Sequence, residues 1–104
     1  MSKFLLADWK ESVVFSEGGP QPQTLQENDL FKVVLAGLTP GQSIPVHPEL
    51  GAVYHILQGN GWMTVDGERF PIEAGAVITM GNGAARGMEA ETPLAFLAVR
   101  TGRN

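Results

Sequence analysis

The sequence predicts a single all-β domain, an antiparallel sandwich or barrel. Short runs of alternating apolar and polar residues recur at roughly eight- to twelve-residue spacing, which is the pattern of strands half buried on one face. Clusters of glycine, proline, asparagine and aspartate separate these runs; the chain has thirteen glycines and seven prolines. No segment sustains a convincing helical period. With 104 residues and 43% apolar content, the chain is long enough for one packed core and too apolar for a disordered segment.

Residues 1–15 are ambiguous: Leu5, Leu6, Trp9 and Val13 fit a short amphipathic helix, whereas Ser12–Phe15 reads as strand. Gly18, Gly19, Pro20 and Pro22 then interrupt regular structure, so residues 16–29 are expected to form an ordered arm or loop with one edge strand at most. The arm, residues 1–29, is expected to precede a barrel over residues 30–104.

The strands follow in order. LFKVVLAGL from Leu30 is the first, ended by the Thr39-Pro40-Gly41 turn. SIPVH is short, and Pro45 places it at a sheet edge or strand entry because proline offers no amide to a neighbour. GAVYHILQ is closed by Gly59-Asn60-Gly61. WMTV runs into Asp66-Gly67, the dipeptide of a type I′ hairpin turn. RFPIEAG, AVITM, AARGMEA and LAFLAVR complete the set, with turns at Gly81-Asn82-Gly83 and Glu91-Thr92-Pro93.

Charge and composition narrow the function. The net charge is −4, and the nearest approach to a basic cluster is Arg100 with Arg103, so nucleic acid is not an expected partner. No apolar stretch approaches a membrane span, and Asp8, Lys10 and Glu11 interrupt the N-terminus too early for a signal peptide. The absence of cysteine fits a reducing compartment. The expectation is a cytoplasmic protein.

From Gly41 the chain resembles the cupin family of small jelly-roll barrels. The first cupin motif places a histidine six positions after a glycine, as His47 follows Gly41. Glu49 stands in the place of the second histidine, Ala52 in the place of the glutamate, and Gly59 closes the motif. In the second motif Gly75, Gly81 and Gly83 hold the turn positions, Arg86 stands where the histidine belongs, and Ala90 where the asparagine belongs. The resemblance covers about residues 30–100. It implies a cupin-type, antiparallel jelly roll.

Metal-holding cupins use three histidines and a glutamate, and only His47 is kept. Glu49 can still ligate through oxygen; Ala52 and Arg86 cannot. The resemblance therefore implies a degenerate metal site with no tightly bound cofactor, and His47 with Glu49 as the ligands of any divalent transition metal. The two cupin motifs face each other, so Glu49 and Arg86 are expected to meet as a bidentate ion pair, or Arg86 to bind an anionic ligand. His55 is expected on the opposite sheet face, by alternation from Ala52, Tyr54 and Ile56.

The leading reading is a cupin that binds a small molecule of unidentified structure, an anion where Arg86 is the group that takes it. Its pocket uses His47, Glu49 and Arg86 as polar groups and Tyr54, Trp62 and Met88 as walls. Two alternatives remain. One is a metal-dependent cupin enzyme of the dioxygenase or isomerase type. The other is a metal-free acid–base enzyme on a sugar-like substrate, with His47 as the catalytic group, by analogy with jelly-roll epimerases that use a His and a Tyr. A homodimer is expected, formed through the arm or a sheet face.

Overall fold

The computed structural model describes residues 4–101. Met1–Lys3 of the expected arm and residues 102–104, Arg103 included, lie outside the described residues. The expected all-β jelly roll is present. Among the described residues nine strands form: β1 (Gln23–Glu27), β2 (Phe31–Leu38), β3 (Ser43–Pro48), β4 (Ala52–Gln58), β5 (Asn60–Val65), β6 (Glu68–Glu73), β7 (Val77–Met80), β8 (Ala85–Ala90) and β9 (Leu94–Thr101). They make two antiparallel sheets, ordered β1-β2-β9-β4-β7 and β3-β8-β5-β6. No helix among the described residues is long and apolar enough to cross a membrane.

Turn chemistry fixes the hairpins. Asp66 and Gly67 both have positive φ, 49° and 86°, which is the type I′ geometry whose twist suits antiparallel strands. The prolines sit where a missing amide does no harm: Pro45 is on β3 and Pro71 on β6, the two edges of the four-stranded sheet. Gly61 is required by close approach, since a Cβ there would overlap the Glu89 carbonyl oxygen of the neighbouring β8.

Alternation sends one set of side chains into the barrel. Leu38, Ile56, Met63 and Leu94 are fully buried there, with Val34, Phe96, Met88 and Ala98 around them. Each such large apolar side chain contributes about 1.5–3 kcal/mol relative to exposure.

The ambiguous N-terminus resolves into a 3-10 turn, Trp9–Glu11, with no strand at Ser12–Phe15. Its role is to cover the outside of the larger sheet. A Cβ on Gly37 would come within 2.9 Å of the Phe15 ring and the Val14 carbonyl. Gln42 donates its side-chain amide to the Ser16 carbonyl at 2.6 Å. Leu35 and Ala95 face outward by alternation yet are completely buried.

The candidate site at the barrel mouth

Strand register divides the interior into layers of different chemistry. Across the five-stranded sheet, Ala36, Phe96 and Ile56 lie side by side, and the next row outward is Val34, Ala98 and Tyr54. The following row is Lys32, Arg100 and Ala52. The four-stranded sheet repeats the gradient: Ile44, Met88 and Met63 form an apolar row, and the next is His47, Arg86 and Val65. One end of the barrel is therefore polar and cationic, while the layers beneath it are apolar.

Glu49 ties the two polar rows together. It lies in the connection from β3 to β4, and its Oε1 is 3.1 Å from Arg100 Nη1. Its Oε2 is 3.4 Å from His47 Nε2. His47 Nδ1 lies 2.8 Å from the Pro45 carbonyl. That oxygen can only accept, so Nδ1 donates to it, and Nε2 is the nitrogen that faces the Glu49 carboxylate.

Arg86 is the unusual member. It is 1% exposed, the one charged residue that is buried among the described residues. Its Nε donates to the Ala84 carbonyl at 3.2 Å and its Nη2 to the Glu49 carbonyl at 3.1 Å. Its Nη1 is buried with no hydrogen-bond partner. The expected bidentate pair of Glu49 with Arg86 is thus corrected: Arg86 grips the main chain of Glu49, and Arg100 takes the carboxylate. The side chain of Glu49 leaves β3 toward β9, and the guanidinium behind it reaches only the carbonyl.

A cavity of about 210 Å3 opens at this end. His47, Glu49, Lys32, Arg100 and Thr24 supply its polar groups, and Tyr54, Phe96, Val34, Ile44 and Ala98 most of its apolar wall. Tyr54 and Phe96 stack at a tilt, with ring centroids 5.3 Å apart. Lys32 has no ion-pair partner among the described residues.

Three of the six expected site residues, His47, Glu49 and Tyr54, meet in this cavity, with Arg86 directly behind it. The other two do not join them. Met88 packs in the core, register-paired with Met63. Trp62 points to the outside of the smaller sheet, where its Nε1 donates to Glu91 Oε1 and the Arg69 guanidinium stacks on its ring at 4.0 Å. Its neighbours Gly61 and Met63 are buried, so alternation puts Trp62 on the opposite face. His55 is exposed on the outer face of β4, as alternation requires. Lys32 and Arg100 were not anticipated, although the inward sequence Leu94, Phe96, Ala98 continues directly to Arg100.

A wider groove of about 460 Å3 lies outside the barrel, against Val53, Thr79 and Val99. Asn82 and Thr101 line it too, but they are hydrogen-bonded to the Gly51 main chain and to each other, and Arg100 is held by Glu49 on the inner side, so the barrel mouth is the better candidate site.

Jelly rolls with this motif spacing imply a transition metal, and the donor set tests that implication. Among the described residues no three His, Cys, Asp or Glu side chains converge. The two donors at the mouth are His47 and Glu49, and the Glu49 carboxylate is already engaged by Arg100. A guanidinium in contact with a ligating oxygen opposes a cation. These residues do not fit a tightly held transition metal, which takes three or four protein donors.

Comparison with known proteins agrees with the architecture. A structure from Thermus thermophilus superposes with a TM-score of 0.86 at 23% identity, covering 95% of this chain and 98% of that one. An RmlC-like cupin from Desulfovibrio desulfuricans matches with a TM-score of 0.80 at 25% identity, covering 96% and 94%. An uncharacterised double-stranded β-helix protein from Klebsiella pneumoniae gives 0.83 at 24% identity, covering 95% and 90%. Among curated proteins none matches the chain at a significant level. The family model described as "Cupin domain" matches residues 34–100, the stretch that carries the barrel core and, apart from Lys32, both polar rows, and the chain belongs to that family.

Proposed function

We propose that this protein is a small-molecule-binding cupin whose barrel mouth takes an anionic ligand without a tightly bound metal. The observation that carries the reading is the local reversal of charge. In a chain of net charge −4, Lys32 and Arg100 face the mouth with Arg86 behind it, against the single carboxylate of Glu49. A concave site with an excess of one sign, walled by apolar groups, concentrates ligands of the opposite sign. The apolar rows beneath would exclude water from the body of the ligand and strengthen the charge contact.

Acid–base catalysis is a second reading, because His47 and Tyr54 line the same cavity. A His47 base would first have to release the Glu49 carboxylate from its Nε2. Proton exchange into a candidate sugar that disappears in His47→Ala would favour it.

The main reading is tested on protein purified without added metal. Elemental analysis should find iron, manganese, nickel and zinc far below one per chain. Calorimetric titration with acetate, benzoate and inorganic phosphate should detect binding of at least one anion. A stoichiometric transition metal, or no anion bound at millimolar concentration, would overturn it.

A further inference from the structure

The barrel mouth already contains a carboxylate, and it belongs to the chain itself. We propose that the Glu49 side chain sits in the seat of an incoming carboxylate and competes with it for Arg100. The ligand class is then a small carboxylic acid with an apolar body. This inference rests on the anion-binding reading above and narrows it.

Three observations carry the inference. First, both Glu49 oxygens are engaged, one 3.1 Å from Arg100 and the other 3.4 Å from His47, so the seat between β3 and β9 accommodates a planar carboxylate. Guanidinium groups match planar carboxylates through parallel N–H donors. Second, Glu49 can leave without moving the chain. Its carbonyl is held by the Gly83 amide at 2.8 Å and by Arg86 Nη2 at 3.1 Å. The main chain is thus fixed, while the side chain, about one-third exposed, can rotate toward solvent. Third, the cavity continues past the carboxylate along Tyr54, Phe96, Val34 and Ala98. Its 210 Å3 corresponds to roughly seven water-sized groups at about 30 Å3 each. The part of it walled by these four side chains suits a ring or short branched chain.

Displacement has a definite energetic consequence. In the free protein Arg100 is neutralised by Glu49, so a ligand carboxylate must replace an existing contact instead of making a new one. Removing the internal competitor should therefore tighten binding, whereas removal of a residue that merely orients Arg100 would weaken it. Phosphate offers negative charge without the apolar body, and benzamide the same body without the charge.

The experiment is isothermal titration of benzoate, benzamide and inorganic phosphate into the wild type, Glu49→Gln, Glu49→Ala and Arg100→Gln. Both Glu49 variants keep the carbonyl that Gly83 and Arg86 hold. Benzoate should bind about tenfold tighter to each Glu49 variant than to the wild type, and Arg100→Gln should lose it. Benzamide and phosphate should bind more weakly than benzoate. Benzoate binding that is unchanged or weakened in both Glu49 variants would overturn the competition while leaving the anion site standing. Phosphate outcompeting benzoate would overturn the carboxylate class alone. No anion bound by any of these proteins would remove both readings.

Discussion

Arg100, at the end of β9, reaches the Glu49 carboxylate at 3.1 Å, while Arg86, at the place the family reserves for a histidine, reaches only the Glu49 carbonyl. Two guanidiniums thus converge on one glutamate, Arg100 on its carboxylate and Arg86 on its main chain. The Arg100 contact is partly open to solvent, with side-chain exposures of 26% and 30%. Ion pairs in that setting contribute about 0–1 kcal/mol. Arg100→Gln should therefore change the denaturation free energy by less than about 1 kcal/mol while reducing affinity for a small carboxylate at least tenfold. Urea unfolding and calorimetry on the same preparation separate the two effects; a large loss of stability would make Arg100 a structural residue.

Arg86 predicts the opposite balance. It is a buried cation with no acidic partner among the described residues, and its Nη1 has no acceptor. Desolvating such a group opposes folding, and replacing buried charges by apolar side chains of similar volume is often neutral or stabilising by about 1–4 kcal/mol. Arg86→Met forfeits the bonds to the Ala84 and Glu49 carbonyls, so the net gain should be small, about 1 kcal/mol. In a domain of this size that raises the melting temperature by about 4–8 °C. Differential scanning calorimetry decides it. A melting point lowered by more than a few degrees would mean that the guanidinium contributes to the fold rather than to ligand binding.

The strand pattern was legible because period-two alternation, proline placement and the Asp66-Gly67 turn are local properties of the chain. Alternation also placed His55 outside and Tyr54 inside. The same count from Leu94 would have aimed Arg100 inward, and from Met63 would have aimed Trp62 outward. Which guanidinium meets the Glu49 carboxylate was not legible. The register shift in β3 between Ile44 and His47 sets the height of His47, and the short Leu50-Gly51 connection sets the direction of Glu49. Neither follows from a repeating pattern. Motif alignment brought Glu49 and Arg86 to the same end of the barrel but did not say which atoms touch.

Gly61 and Gly67 should differ in cost for different physical reasons. Gly61 has no positive φ, and its constraint is steric: a Cβ would run into the Glu89 carbonyl within the β5–β8 ladder. Gly67 has a φ of 86° but open space around it, so its constraint is conformational. Gly61→Ala must push two core strands apart and should cost about 1–3 kcal/mol or more. Gly67→Ala should cost only about 1 kcal/mol. Equilibrium unfolding of both variants is the measurement, and equal losses would mean that β5 and β8 can separate without disturbing the core.

The outer face of the larger sheet predicts association. Val99 and Val53 are neighbours across β9 and β4, exposed 38% and 44%, and Val77 on β7 is 61% exposed. His55 lies in the same face, register-paired with Leu97 and Val77. The arm adds exposed Phe4 and Leu5 beside Leu25 and Val33, and Val33 is the neighbour of Val99 in the same row. An apolar surface of this kind, continuous over adjacent strands, is characteristic of a contact site. A face that meets a second copy through a two-fold axis places each valine row against the same row of its partner. Light scattering should give a mass near twice 11.1 kDa, and Val53→Asp should return it to 11.1 kDa because a carboxylate at the centre of that contact would be buried without a partner. A wild-type mass of 11.1 kDa at tens of micromolar would leave this face to another partner, with the barrel-mouth site unaffected because its charged side chains lie on the inner side of the sheets.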